Sequence, residues 1–320
     1  VDGGTIKLDG NHPTGTNNVA LGNTALDSLT SGTANTAIGS NAGTAITTGR
    51  RNVAIGSETL EANTTGENNT AVGQEALEAN TTASNNTAVG RQALTANTTG
   101  TQNVSVGSSS LDANTEGNYN SALGDNALTN NTTGDNNTAM GQAALQNNTT
   151  ADSNSAFGRN ALQLNTTGTN NVAVGYNSLD ANTTGNNNTA LGTNALSANT
   201  TAEANTALGL NTLLVNTTGT QNVAVGSQSM DANTTGNYNS ALGVNALGAN
   251  TTGSSNVAIG IQSLDANTTG GNNVAVGQDA LGSNTTANNN TAVGFFALNA
   301  NTTGAFNTAL GSASLRDNVT

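Results

Sequence analysis

The feature that most constrains this chain is a 17-residue repeat that never changes length. The pentapeptide Asn-Thr-Ala-Val-Gly at residues 69–73 returns at residues 86–90, and the same register continues through eighteen repeats without an insertion or a deletion. Loops of globular enzymes tolerate changes of length, whereas stacked repeats do not. The spacing therefore predicts that each repeat lies directly on its neighbours.

Each position of the repeat has its own composition. Position 1 is the first asparagine of a repeat, so that Asn69 occupies position 1 and Gly73 position 5. Position 3 is Ala in all repeats but one, and position 9 is Leu in all but two. Asn and Thr fill positions 12 to 14 in most repeats, and Gly or Ala fills position 15. The fixed positions are those that we expect to hold the fold.

Short strands fit this pattern better than helices. Gly and Asn recur every few residues, and no amphipathic stretch reaches the length of a helical repeat. We expect one strand at positions 1–4 and a second at positions 7–10. Because position 4 is always large and apolar, we expect it to point into the core with the leucine of position 9. The predicted core residues of two repeats are Val72, Leu77, Val89 and Leu94.

Glycine at position 5 predicts a tight corner in every repeat. A residue that is always Gly is expected at positive φ or where another backbone lies close. Hairpins are disfavoured, since this Asn- and Gly-rich chain has no Asn-Gly dipeptide. A second corner, at position 15, is looser because Ala replaces Gly there. The predicted turn glycines include Gly22, Gly39, Gly56, Gly73, Gly90, Gly107, Gly124 and Gly141.

Stacked repeats place identical asparagines above one another. We expect the position-1 side chains to form a ladder in which each amide donates to the carbonyl of the next repeat. A second ladder is expected at position 12, through Asn63, Asn80 and Asn97. Corner stabilisation explains both rows better than ligand binding does. The first ladder includes Asn52, Asn69, Asn86, Asn103 and Asn120.

The sequence therefore predicts an all-β fold, a parallel β-solenoid or β-roll with one 17-residue rung per repeat and about eighteen rungs over residues 18–320. Residues 1–17 form a leader that caps the first rung or docks onto another subunit. Its strand-like segment contains the candidate assembly residues Ile6 and Leu8. The small alanines of position 3 are a candidate surface for close lateral packing into a trimer.

Composition excludes several classes of function. A net charge of −13 and six Lys plus Arg in 320 residues disfavour nucleic acid and anionic membranes as partners. The chain has no Cys and no apolar run long enough to insert into a membrane. Its one His, His12, and the scattered Asp112, Asp180, Asp231 and Asp265 form no convincing catalytic or calcium site. We expect no enzyme activity, no cofactor and no metal.

Two surface readings of the repeat remain open. Asn-x-Thr sequons such as the one at Asn63 would carry sugar in a glycosylating secretory system, although Asn and Thr also recur for turns and ladders. Rows of threonine such as Thr64, Thr81 and Thr98 are similar to ice-binding faces, although they fall at an expected corner. Ice or carbohydrate binding by a repeated face is therefore the alternative function.

The segment Asn-Val-Ala-Ile-Gly-x-x-x-Leu, at residues 52–60 and 256–264, resembles the head repeat of YadA-like trimeric autotransporter adhesins and related repeats of phage tail fibres. The resemblance covers residues 18 to 320. It implies a parallel β-roll that is left-handed and often assembled from three chains. The present repeat is a few residues longer, because of its Asn-Thr-Thr-Gly corner, and no binding residues carry over.

These observations predict a structural fibre or adhesin shaft rather than an enzyme. We expect a subunit at the cell, virion or extracellular surface that assembles with itself, end to end or laterally, as a filament or a trimer. A host-surface or glycan ligand is a further possible partner. Nucleic acid and membrane insertion are not expected.

Overall fold

The computed structural model describes residues 15–318, which form only short parallel strands, turns and bends, without a helix. The chain divides into two compact units, one ending at Arg159 and the other beginning at Asn160. Each unit is a stack of 17-residue coils with one three-residue strand per coil. The parallel β-solenoid predicted from the repeat is the observed fold.

Every strand occupies positions 2 to 4 of its repeat. The amino-terminal unit contains β1 (Val19–Leu21), β2 (Thr36–Ile38), β3 (Val53–Ile55), β4 (Thr70–Val72), β5 (Thr87–Val89), β6 (Val104–Val106), β7 (Ser121–Leu123), β8 (Thr138–Met140) and β9 (Ser155–Phe157). The carboxyl-terminal unit contains β10 (Val172–Val174), β11 (Thr189–Leu191), β12 (Thr206–Leu208), β13 (Val223–Val225), β14 (Ser240–Leu242), β15 (Val257–Ile259), β16 (Val274–Val276), β17 (Thr291–Val293) and β18 (Thr308–Leu310).

Within each unit, consecutive strands pair in parallel with a shift of one repeat. Ala71 of β4 lies beside Ala88 of β5, and Ala190 of β11 lies beside Ala207 of β12. The backbone amide of Thr70 donates to the carbonyl of Asn86 at 2.9 Å. Because each side chain meets the same position of the next coil, one set of contacts is used throughout a unit.

The prediction of a second strand at positions 7–10 is wrong. These residues form a turn segment in which positions 7 and 9 have positive φ, as at Glu75 (61°) and Leu77 (53°). Their amides nevertheless bond to neighbouring coils. Glu75 donates to the carbonyl of Ser57 in the preceding coil, and Leu77 to that of Ala93 in the following coil, both at 3.0 Å. Coil-to-coil bonding thus continues here without extended backbone.

The core lies between the alanines of position 3 and the leucines of position 9. Ala71, Ala76 and Leu77 are all fully buried. The prediction that position 4 also points inward is wrong, since Val72 and Val89 are only half-buried. Alternation along the strand puts positions 2 and 4 on the face opposite Ala71. The apolar interior of most coils therefore holds one large side chain, the leucine of position 9, and an alanine opposite it.

Position 17 is the third position that adopts a left-handed conformation in every coil. Asn occupies it in many repeats, but Ala204 has φ 57° there and is exposed. Residues with a Cβ are disfavoured at such angles by about 1 kcal/mol or more, and Gly is not. Local strain is thus present at a place where the side chain makes no contribution to the core.

We expect Ala204→Gly to stabilise the coil around it by about 0.5–1 kcal/mol, because the left-handed backbone no longer opposes a Cβ. Ala305→Gly is the matched control, since Ala305 is exposed but has no positive φ. That change should instead destabilise its coil, by about 0.5–1 kcal/mol. Amide hydrogen exchange of the flanking coils measures both effects, and equal signs for the two variants would contradict the prediction.

Candidate functional site

The glycines of position 5 form a corner that no other residue fits. Gly73 has φ 130°, and a Cβ added to it would clash with the carbonyl oxygen of Gly90. Gly22, Gly39, Gly56, Gly90, Gly107, Gly124 and Gly141 also have positive φ and face the next corner glycine in the same way. Successive coils therefore touch backbone to backbone at this corner.

The corner at position 15 is different, because its glycines are not among the positive-φ residues. Ala83, Ala151 and Ala202 take the same place in other repeats and are buried. The coils approach one another as closely here as at position 5, since a Cβ added to Gly66 would meet the carbonyl oxygen of Ala83, so the ordinary φ is what distinguishes the corner that accepts alanine.

The position-1 asparagines hold the backbone of adjacent coils. Asn52, Asn69, Asn86, Asn103 and Asn120 are all buried. The Oδ1 atom of Asn69 accepts the backbone amide of Asn86 at 3.0 Å, and its Nδ2 atom donates to the carbonyl of Ala83 at 2.9 Å. The first ladder is thus mainly a side-chain-to-backbone ladder, whereas we expected amides donating to one another.

The position-12 asparagines form the amide-to-amide ladder. The Nδ2 atom of Asn80 donates to Oδ1 of Asn63 at 2.9 Å and to the carbonyl of Ala83 at 3.1 Å. The Nδ2 atom of Asn97 in turn donates to Oδ1 of Asn80 at 2.9 Å. Donation runs from each coil to the preceding one, opposite to the expected direction. Both hydrogens of the Asn80 amide are used, so it has no spare donor for a ligand.

Threonine hydroxyls at position 13 add a third row of bonds between coils. The Oγ1 atom of Thr64 donates to the carbonyl of Thr81 at 3.1 Å, and that of Thr81 to the carbonyl of Thr98 at 3.2 Å. The threonines of position 14 are exposed instead. In the carboxyl-terminal unit all nine repeats carry this exposed Thr: Thr167, Thr184, Thr201, Thr218, Thr235, Thr252, Thr269, Thr286 and Thr303.

The predicted site residues divide into three groups. Leu77 and Leu94 are fully buried, while Val72 and Val89 lie on the outer face of the strands. The position-3 alanines, proposed from the sequence for lateral packing, are buried inside the coils and are not a surface. Ile6, Leu8 and His12 lie outside the described residues.

The outer face of the strands is an apolar surface that the sequence analysis missed. We call the side chains of positions 2 and 4 the outer strip. Its large members include Leu123 (48% exposed) and Phe157 (37%) in the amino-terminal unit and Leu191 (43%) and Leu242 (49%) in the carboxyl-terminal unit. The sequence signal for this exposed face is the variability of position 4. That position ranges from Val to Met and Phe, whereas position 3 keeps the small Ala that a thin core requires.

Carboxylates at position 10 are partly desolvated. Burial raises the pKa of Asp112, Asp180 and Asp231 above its usual range. Burial also raises the pKa of Asp265, and the nearby charges of Asp231 and Asp279 raise it further. The Oδ1 atom of Asp180 is buried without a hydrogen-bond partner. These groups oppose folding when they are ionised.

The described part of the chain contains no group of three or more His, Cys, Asp or Glu placed to hold a metal ion. Between residues 15 and 318 no helix has the length and apolar character of a membrane span. Ladder sequons are poor glycan sites in this fold, because Asn63 is fully buried and its Nδ2 atom donates to the carbonyl of Gly66. Asn68, which begins the neighbouring sequon, is exposed.

Comparison of the chain with models of known families and with curated proteins finds no match. The candidate functional features are therefore the surfaces of the coils themselves, which are the outer strip and the exposed threonine row.

We expect Asn80→Ala to destabilise the coils around it by about 1–3 kcal/mol, because Oδ1 of Asn63 loses its donor in a buried place. Thr82→Ala, an exposed change in the same repeat, should have little effect. Hydrogen exchange of residues 63–97 reports the difference. Similar protection in the two variants would show that the amide ladder contributes little.

We expect the thermal midpoint to rise as the pH is lowered from 7 toward 4. A carboxyl group whose pKa is higher in the folded than in the unfolded state stabilises the fold below its unfolded pKa and loses that contribution as the pH rises through the folded pKa. The raised pKa values of Asp112, Asp180, Asp231 and Asp265 all act in this direction. Calorimetry of the chain and of Asp265→Asn measures it, and the variant should respond less to pH.

Proposed function

We propose that this chain is a structural subunit, the shaft of an extracellular fibre or adhesin, that assembles with copies of itself. One observation carries the proposal: the polar side chains that recur from repeat to repeat form hydrogen bonds from one coil to the next. Asn69, Asn80 and Thr81 of a single repeat all bond across coils. Chemistry directed at a small substrate would need convergent polar groups that are free of such duties.

The repeated bonding suits a mechanical role. Stress applied along a stack of coils is shared among strand pairing, two asparagine ladders and the threonine bonds, all of which recur at each step. Short corners also give proteases no long loop to cut. A place outside the cell, on a cell or virion surface, agrees with this construction and with the acidic, cysteine-free composition. The resemblance to YadA-like heads and phage tail fibres supports the same function.

The exposed threonine row of the carboxyl-terminal unit favours a second candidate, binding of ice or carbohydrate by a repeated face. Thr235, Thr252 and Thr269, for example, stand at equivalent places in successive coils. Parallel strands are about 4.8 Å apart, so such a row presents hydroxyls at a regular spacing. A flat periodic ligand is the kind of partner that this row fits.

Immunogold labelling of the source cells or particles tests the structural proposal. We expect antibodies against the purified chain to decorate fibres or appendages at the surface, and labelling confined to the cell interior would overturn the proposal. Thermal hysteresis and glycan-array measurements on the same material test the second candidate. A positive signal that Thr235→Val and Thr252→Val together abolish would favour binding by the threonine row.

A further inference from the structure

The two positions of the outer strip compensate for each other in size. Position 4 is Leu, Met or Phe in eight repeats, and position 2 is Val in only one of these. In the ten repeats with Val or Ile at position 4, position 2 is Val in six. Ser121 thus accompanies Leu123, and Ser155 accompanies Phe157. Solvent sets no such limit on combined size, whereas a surface packed against the strip does.

In the carboxyl-terminal unit the apolar surface continues beyond the glycine corner. Position 6 follows the corner glycine, and we call its residues in this unit the corner row. Five of its nine residues are large and about half exposed: Tyr176, Leu210, Val244, Ile261 and Phe295. In the amino-terminal unit the same position is polar or charged in all nine repeats. Apolar surface therefore lies on both sides of the glycine corner in one unit only.

The area and charge of this surface suit a stable contact. Nine strands at about 4.8 Å spacing, two side chains wide, give a strip of the order of 300–400 Å². The largest apolar patch on a typical monomer measures roughly 300–600 Å², so the strip alone falls within that range, and the corner row enlarges it toward the roughly 800 Å² per partner of a stable interface. Neither position 2 nor position 4 carries a charge in any repeat.

We propose that a second copy of this chain covers the outer strip of the carboxyl-terminal unit, running in the same direction. The inference rests on the proposed self-assembling function and names its surface. A partner must match one apolar step per coil over nine coils, and another copy has that period by construction. The strip of another copy also has the same nearly constant combined size of the side chains at positions 2 and 4. Neither property is expected of an unrelated globular protein.

The corner row favours copies that run in the same direction. In that arrangement each apolar corner residue lies at the level of its own counterpart. Full overlap of the two units in opposite directions would instead place Tyr176 level with Ser312, Leu210 with Gln278, Ile261 with Ser227 and Phe295 with Thr193. Only Val244 would meet an apolar partner. Four of the five apolar residues would thus lie beside polar side chains.

A pair of charge variants in one coil tests the surface. Leu242 lies on the strip and Thr252 on the exposed threonine row of the same repeat, so Leu242→Asp and Thr252→Asp add the same charge at different faces. In sedimentation of the full chain at micromolar concentration, we expect the parent and Thr252→Asp to associate. Leu242→Asp should weaken association at least 100-fold with unchanged circular dichroism. A monomeric parent, or an intact Leu242→Asp oligomer, would overturn the proposal.

Single cysteines test the direction, since the chain contains none of its own. Leu191→Cys and Ile259→Cys lie four repeats apart on the strip, and Thr252→Cys is the control. Copies that run in the same direction join through a short bismaleimide at both strip positions and not at the control. Opposite directions bring at most one of the two cysteines onto its own counterpart, and crosslinking at one alone would overturn the stated direction.

The two proposals fail in different ways. A chain that is monomeric in sedimentation but labels surface fibres leaves the structural function in place and removes the strip as its contact. A chain that associates through Leu242 but lies inside the cell removes the extracellular function while keeping the contact between copies.

Discussion

The structure depends on the close approach of one coil to the next at the position-5 glycines. A Cβ on Gly73 would meet the backbone of Gly90, so the coils come within backbone contact at this edge. The strands and the asparagines align in the same one-repeat register. Every other interaction between coils, including the burial of Leu77, follows from having identical positions above one another. An insertion in one repeat would disturb all of them together, which accounts for the strict 17-residue period.

The thin interior explains the division of roles within the repeat. The apolar part of a coil interior is a leucine facing an alanine, so burial of apolar area per residue is small compared with that of a globular domain. Hydrogen bonds between coils supply stabilisation that the small apolar core does not. The fold accepts local strain in return, since positions 7, 9 and 17 adopt left-handed conformations in residues such as Glu75 and Leu77. Residues other than Gly and Asn disfavour the fold at such angles by about 1 kcal/mol, which repeated bonding along the stack offsets.

Repetition made the fold class accessible from the sequence, but it did not reveal which way the side chains point. The period, the parallel strands, the role of Gly73 and the two rows of Asn69 and Asn80 all follow from aligning the repeats. A large apolar residue at position 4 predicts a core side chain, but the small, fully buried Ala71 is the better signal of a confined interior. The segment around Leu77 has the short apolar pattern of a strand, and such a pattern carries no signal of left-handed backbone. Strand alternation alone could not decide which face was inside, and the exposed face is the candidate site.

Because strand pairing, the asparagine ladders and the glycine corner recur from coil to coil within a unit, the coil is a repeated module. Residues 117–124 recur at 236–243, seven repeats later. Unequal recombination between such stretches adds or removes whole coils and leaves a seam no different from any other. The number of coils can thereby change by whole repeats without the redesign of a single interface.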